Sequence, residues 1–119
     1  MNKSILLIFR HPPFANNSNK EALDIALGCS AFDIPVSLLF LNDSILQLIK
    51  DQRGEDINQK NLLKTFSALE MYDINDHYVI DTDMLRYNLT AQDLALNCKV
   101  ILTTQQALII RQFDTVINL

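Results

Sequence analysis

The sequence predicts a three-layer α/β/α domain built on a five-stranded parallel sheet. Three observations carry that expectation. The run Val36-Ser37-Leu38-Leu39-Phe40-Leu41 is nearly continuous in apolar residues. That is the pattern of a strand buried on both faces, whereas an antiparallel strand with one wet face alternates. Helical patterns flank this run closely, over residues 21–32 and 43–49. Further short apolar runs follow along the chain with helical patterns between them, the order that crossover connections and a parallel sheet produce.

Each element follows from its residues. Residues 5–9 are an apolar run and form strand one. Residues 10–18 hold two prolines and several asparagines, so they read as a loop. Ser18 or Asn19 caps helix one, whose core stripe is Ala22, Ile25, Ala26, Cys29 and Phe32 at helical spacing. Leu23 and Leu27 lie off that stripe and give the helix a second apolar face. Pro35 opens strand two, a position where its missing N–H is tolerated. Asp43 or Ser44 caps helix two, with Ile45, Leu48 and Ile49 turned inward. Residues 50–58 are polar, contain Gly54 and read as a loop. Leu62, Phe66 and Leu69 mark helix three, which ends near Met71-Tyr72. Strand three is Tyr78-Val79-Ile80. A short helix over residues 84–87 is capped by Asp81 or Thr82, and a further turn begins at residues 90–93. Strand four is Val100-Ile101-Leu102, Thr104 caps a final helix to about Gln112, and Val116-Ile117-Asn118-Leu119 is strand five.

At 119 residues the chain reads as one domain spanning 1–119. A domain of this size buries roughly 65% of its unfolded surface, enough for a proper core. The hydrophobic fraction is 49% and the charged fraction only 20%. Buried parallel strands raise the first number, and subunit contacts raise it further. The net charge of -4 and the absence of any Lys/Arg cluster oppose a grip on a nucleic-acid backbone, which needs a basic face. Direct nucleic-acid binding is therefore not expected. Cys29 and Cys98 make neither a disulfide framework nor a zinc site. The apolar run after Lys3 is too short for a signal-peptide core, and no window approaches a membrane span. The cytoplasm is the default compartment, and no membrane partner is expected.

Ligands of parallel sheets collect beyond the carboxyl ends of the strands. Strand one exits into Arg10-His11-Pro12-Pro13-Phe14. A phosphate cradle needs glycines and free backbone N–H groups, and this loop has no glycine and two prolines. Arg10 and His11 are instead candidates for contact with an anion or with a partner subunit. Strand three exits into Asp81-Thr82-Asp83. Two carboxylates there suit a divalent metal, but no third ligand can be placed beside them, and helix capping explains them as well. No metal site and no cofactor site is assigned. Cys29 lies on the apolar stripe of helix one and Cys98 at the start of strand four, away from the strand exits. A reactive thiol wants access and a helix N-terminus, so both read as structural. His77 precedes strand three with no Ser or Cys partner in view. Tyr72, Tyr78 and Tyr87 read as core or interface residues. No catalytic residue is assigned.

Two blocks carry a family resemblance. The first is Glu21-Ala22-Leu23-Asp24, then Ser30-Ala31-Phe32, then strand two with Asn42-Asp43 and Leu46-Gln47-Leu48. The second is Lys64-Thr65-Phe66-Ser67-Ala68-Leu69 running into Glu70-Met71-Tyr72-Asp73-Ile74, with Phe113-Asp114-Thr115-Val116-Ile117 at the close. Together they resemble the TusC/DsrF subunits of the DsrE-like superfamily over essentially the whole chain.

The resemblance implies a subunit of a heterohexamer with TusB-like and TusD-like chains. Such complexes pass persulfide sulfur from a TusA-like donor to a TusE-like acceptor, ending in 2-thiouridine at the tRNA wobble position. In that family the TusD-like subunit carries the active cysteine at the exit of strand three, and some TusC-like chains also have a cysteine near it. This chain has Ile80-Asp81 there. Asp81 sets a negative charge where a thiolate or persulfide would sit, so the resemblance implies a subunit that completes the complex without carrying sulfur at that exit. The candidate interface residues are Arg10, His11, Leu23 and Leu27, with the region of strand two and helix two. Two rival expectations remain: a DsrF-type subunit of a sulfur-oxidation DsrEFH complex, and a stand-alone small sulfurtransferase.

Overall fold

The computed structural model describes residues 4–10, 18–49, 71, 74, 76–94 and 97–118. Five strands form one sheet: β1 (Ile5–Phe9), β2 (Val36–Phe40), β3 (Asp76–Ile80), β4 (Lys99–Ile101) and β5 (Thr115–Asn118). Their order is β4-β3-β2-β1-β5 and every pairing is parallel. Among the described residues the helices are α1 (Ser18–Ala31), α2 (Asp81–Arg86) and α3 (Gln106–Arg111), with 3-10 segments at Asn42–Leu48, Ala91–Asp93 and Thr103–Gln105.

Strand β2 is buried along its whole length and on both faces, which is why it is apolar but for Ser37. Leu7, Phe9, Leu38, Phe40 and Val79 point into one core. Leu6, Ile8, Leu39, Leu41, Ile80 and Ile101 point into the other. In-register Phe9 and Phe40 stack with ring centroids 4.8 Å apart. Strands β1 to β4 step across the sheet in one direction, and right-handed crossovers then place their helices on one face. Ile25, Leu27 and Cys29 of α1, Ile45 and Leu48 of the 3-10 segment and Met84 of α2 all pack on the first core. The step from β4 to β5 runs the other way, so α3 falls on the opposite face, where Ile109 and Ile110 meet the second core.

The structure departs from expectation in several places. Helix one ends at Ala31, and Phe32 is 81% exposed instead of completing the core stripe. The amides of Asp33 and Ile34 fold back onto the carbonyls of Ser30 and Cys29, with Asp33 at φ 57. This left-handed closure rotates Phe32 off the helical face. The expected helix two is a 3-10 segment without a side-chain cap; the chain enters it through Leu41, and neither Asp43 nor Ser44 caps it. Ser44 Oγ lies 2.8 Å from the Phe9 carbonyl of β1 and 2.7 Å from the local Leu41 carbonyl, so backbone carbonyls take its one proton. Ile45 and Leu48 are buried as expected, while Ile49 is half-buried and makes an isolated antiparallel bridge with Leu94.

Strand β3 begins two residues earlier than expected and takes His77 into the core, where it is 1% exposed. Strand β4 is shifted one residue towards the N-terminus relative to the expected run, and β5 begins one residue early, at Thr115; Leu119 lies outside the described residues. The expected helix over 84–87 starts at Asp81, with Ile80 rather than Asp81 or Thr82 in the capping position. Thr104 does not cap the last helix; the Leu102 amide donates to Gln105 Oε1 at 3.1 Å. The turn expected at 90–93 is present, and Thr90 donates to the Asp93 carboxylate from its amide and its hydroxyl. The expected loop at 50–58, helix three through Leu62, Phe66 and Leu69, and Tyr72 lie outside the described residues.

Candidate functional site

The carboxyl edge of the sheet is laced together by side chains. At the β1 exit, Arg10 is exposed and donates to Asn118 Oδ1 of β5 from Nε (3.2 Å) and Nη2 (3.0 Å). At the β2 exit, Asn42 sits at φ 54, and its amide donates to Asp83 Oδ2 of α2 at 2.9 Å. Asp83 is buried, so this charge-assisted bond is screened little by water. Tyr87 adds a second tie from the end of α2 to the 3-10 segment, its hydroxyl donating to Asp43 Oδ1. The bond to that carboxylate raises the Tyr87 phenol above its ordinary range.

The β3 exit is joined to the β4 exit. Asp81 Oδ1 accepts the Thr103 hydroxyl and the Thr103 amide, each at 2.9 Å, and the Thr82 amide at 2.8 Å. The Thr82 and Thr103 hydroxyl oxygens are 2.9 Å apart. Because Thr103 spends its proton on Asp81, Thr82 is the donor in that pair. The hydroxyl bond from Thr103 is the main reason the Asp81 carboxyl titrates below its ordinary value; the amides of Thr103 and Thr82 act in the same direction. Chemically this is a carboxylate whose charge is already met by three donors.

Asp81 and Asp83 do not converge: one turns to Thr103 and the other to Asn42. Among the described residues no three His, Cys, Asp or Glu side chains are grouped to hold a metal. Cys98 lies just before β4, on the amino edge, and burial pushes its thiol up to about 12. Cys29 is half-buried in α1 and packs against the first core. Arg10 is at the β1 exit, and Leu27 is half-buried against the first core. His11 and the side chain of Leu23 lie outside what the structure describes. Tyr78 and Tyr87 are half-buried, each packed on one of the two cores.

Sequence reasoning missed Thr103. The signal was there in the pairing of two strand exits: Ile80 and Ile101 are register partners, and Asp-Thr follows one while Thr-Thr follows the other shortly after. Also missed were the apolar side chains near this edge, with Leu85 of α2 78% exposed and Leu102 beyond β4 also exposed. Among the described residues no helix is long and apolar enough to cross a membrane.

The DsrE/DsrF-like family model matches residues 3–119. The chain is 39% identical over 121 residues to the Protein TusC homolog of Pseudomonas aeruginosa, covering 100% of both chains. It is 31% identical over 117 residues to Protein TusC of Buchnera aphidicola subsp. Acyrthosiphon pisum, covering 98% of each. It is also 31% identical over 99 residues to the Protein TusC homolog of Haemophilus influenzae, covering 82% of this chain and 83% of that one. In fold it resembles the crystal structure of the ychN protein from E. coli, with a TM-score of 0.77 over 100% of both chains at 16% identity.

Proposed function

The chain belongs to the DsrE/DsrF-like family, and from that membership we propose that it is the TusC-like subunit of a TusBCD-type sulfur-relay complex. In this reading TusB-like and TusD-like chains are its partners in a cytoplasmic heterohexamer. Sulfur received from a TusA-like donor leaves to a TusE-like acceptor and serves 2-thiolation of tRNA wobble uridine. The chain's own part is structural. It touches neither sulfur nor tRNA directly, and contacts its partners in part through Arg10 and Leu27.

One observation carries the non-catalytic part of this reading: the β3 exit is closed by Asp81, Thr82 and Thr103. Persulfide exchange needs a thiolate that is accessible and has a low pKa. The group at this exit is a carboxylate already bonded to three donors. The Cys98 thiol is on the other edge of the sheet and is held protonated by burial. Full-length likeness to proteins named TusC supports the choice of branch over a DsrF-type oxidation subunit.

The test is a cell in which this chain is replaced by its Cys29→Ser/Cys98→Ser variant. Thiolated tRNA is read by its retardation in mercury-containing gels, and assembly by co-purification with the TusB-like and TusD-like chains. The expected result is normal assembly and normal thiolation. Assembly without thiolation would show that this chain carries sulfur and overturn the structural role. Failure of the unmodified chain to co-purify would remove the complex itself.

A further inference from the structure

We draw no further inference here: the strongest candidate, the exposed apolar side chains of Leu85 on α2 and of Val100 and Leu102 at β4 and its exit, carries nothing because nothing in the structure shows what covers them.

Discussion

Truncating Leu38 and Leu39 separately tests whether β2 is buried on both faces. The two side chains are neighbours in the chain, both fully buried, and they enter different cores. Leu38 meets the core that contains Phe9 and Val79; Leu39 meets the one that contains Leu6 and Ile80. A buried Leu→Ala change costs about 2–5 kcal/mol, the lost transfer energy plus the cavity left behind. Leu38→Ala and Leu39→Ala should therefore each cost about 3 kcal/mol. A domain of 119 residues is stable by roughly 6–15 kcal/mol, so each single variant still folds and can be measured. With a urea slope of about 2 kcal/mol/M, each midpoint should fall by about 1.5 M with the slope unchanged. A strand with one solvated face would respond differently, because a surface leucine costs less than about 0.5 kcal/mol. Equilibrium urea unfolding followed by circular dichroism makes the comparison. One large loss beside one negligible loss would refute the two-sided core and the parallel architecture that rests on it.

Three further outcomes are expected. Asp83→Ala leaves the Asn42 amide without its buried partner and should cost about 2 kcal/mol, while Asp83→Asn, which keeps an acceptor oxygen, should cost less; equal melting of both variants and the parent would show that this bond holds nothing. Asp33 occupies a left-handed position at the end of α1, a helix with no basic residue in its last turn. Asp33→Gly relieves the steric cost and the unfavourable charge at a helix C-terminus, and should stabilise by about 1 kcal/mol, or roughly 4 °C in melting temperature. An unchanged or lower melting temperature would count against it. The Cys98 thiol, ordinarily near 9 and pushed up to about 12, holds its proton in the folded state over a range where the unfolded chain has lost it. That stabilisation is complete below pH 9 and is lost as pH rises towards 12. The stability difference between the parent and Cys98→Ala should shift against the parent by up to about 1.4 kcal/mol per pH unit across that window. Parallel pH curves would contradict the burial of this thiol.

Much of the fold was legible because the decisive signals are local. A continuous apolar run buried on both faces marks a central parallel strand wherever it occurs, and β2 sits between β1 and β3. The alternation of strand and helix fixed the class for the same reason. Capping was read less well. Asp43, Ser44 and Asp81 all have the right chemistry for helix N-caps, but groups from other elements take up their polar atoms. Ser44 is claimed by the Phe9 carbonyl and Asp81 by Thr103. Such competition lies between residues far apart in sequence, and propensity cannot register it. Phe32 was misplaced by one residue of helix: periodicity continues through it, while the left-handed Asp33 ends the helix just before it. At the candidate site, the absence of a cysteine at the β3 exit could be read from sequence, but what fills the space could not. That depends on a register between β3 and β4 that only the assembled sheet defines.

The pairing of β1 with β5 also governs when the sheet can close. Ile5 is the register partner of Thr115, and the seam is tied by Ser4 with Asp114 and by Arg10 with Asn118. Joining ends 110 residues apart costs about 4 kcal/mol in chain entropy before any contact repays it. At ribosomal speeds of about 5–20 residues per second, β1 waits roughly 5–20 s for the strand that covers its outer edge. Throughout that interval an apolar strand has one side open to any other strand that can pair with it. The hazard for this chain therefore falls during its synthesis, and a chaperone or partner that acts on it has most to do before β5 emerges.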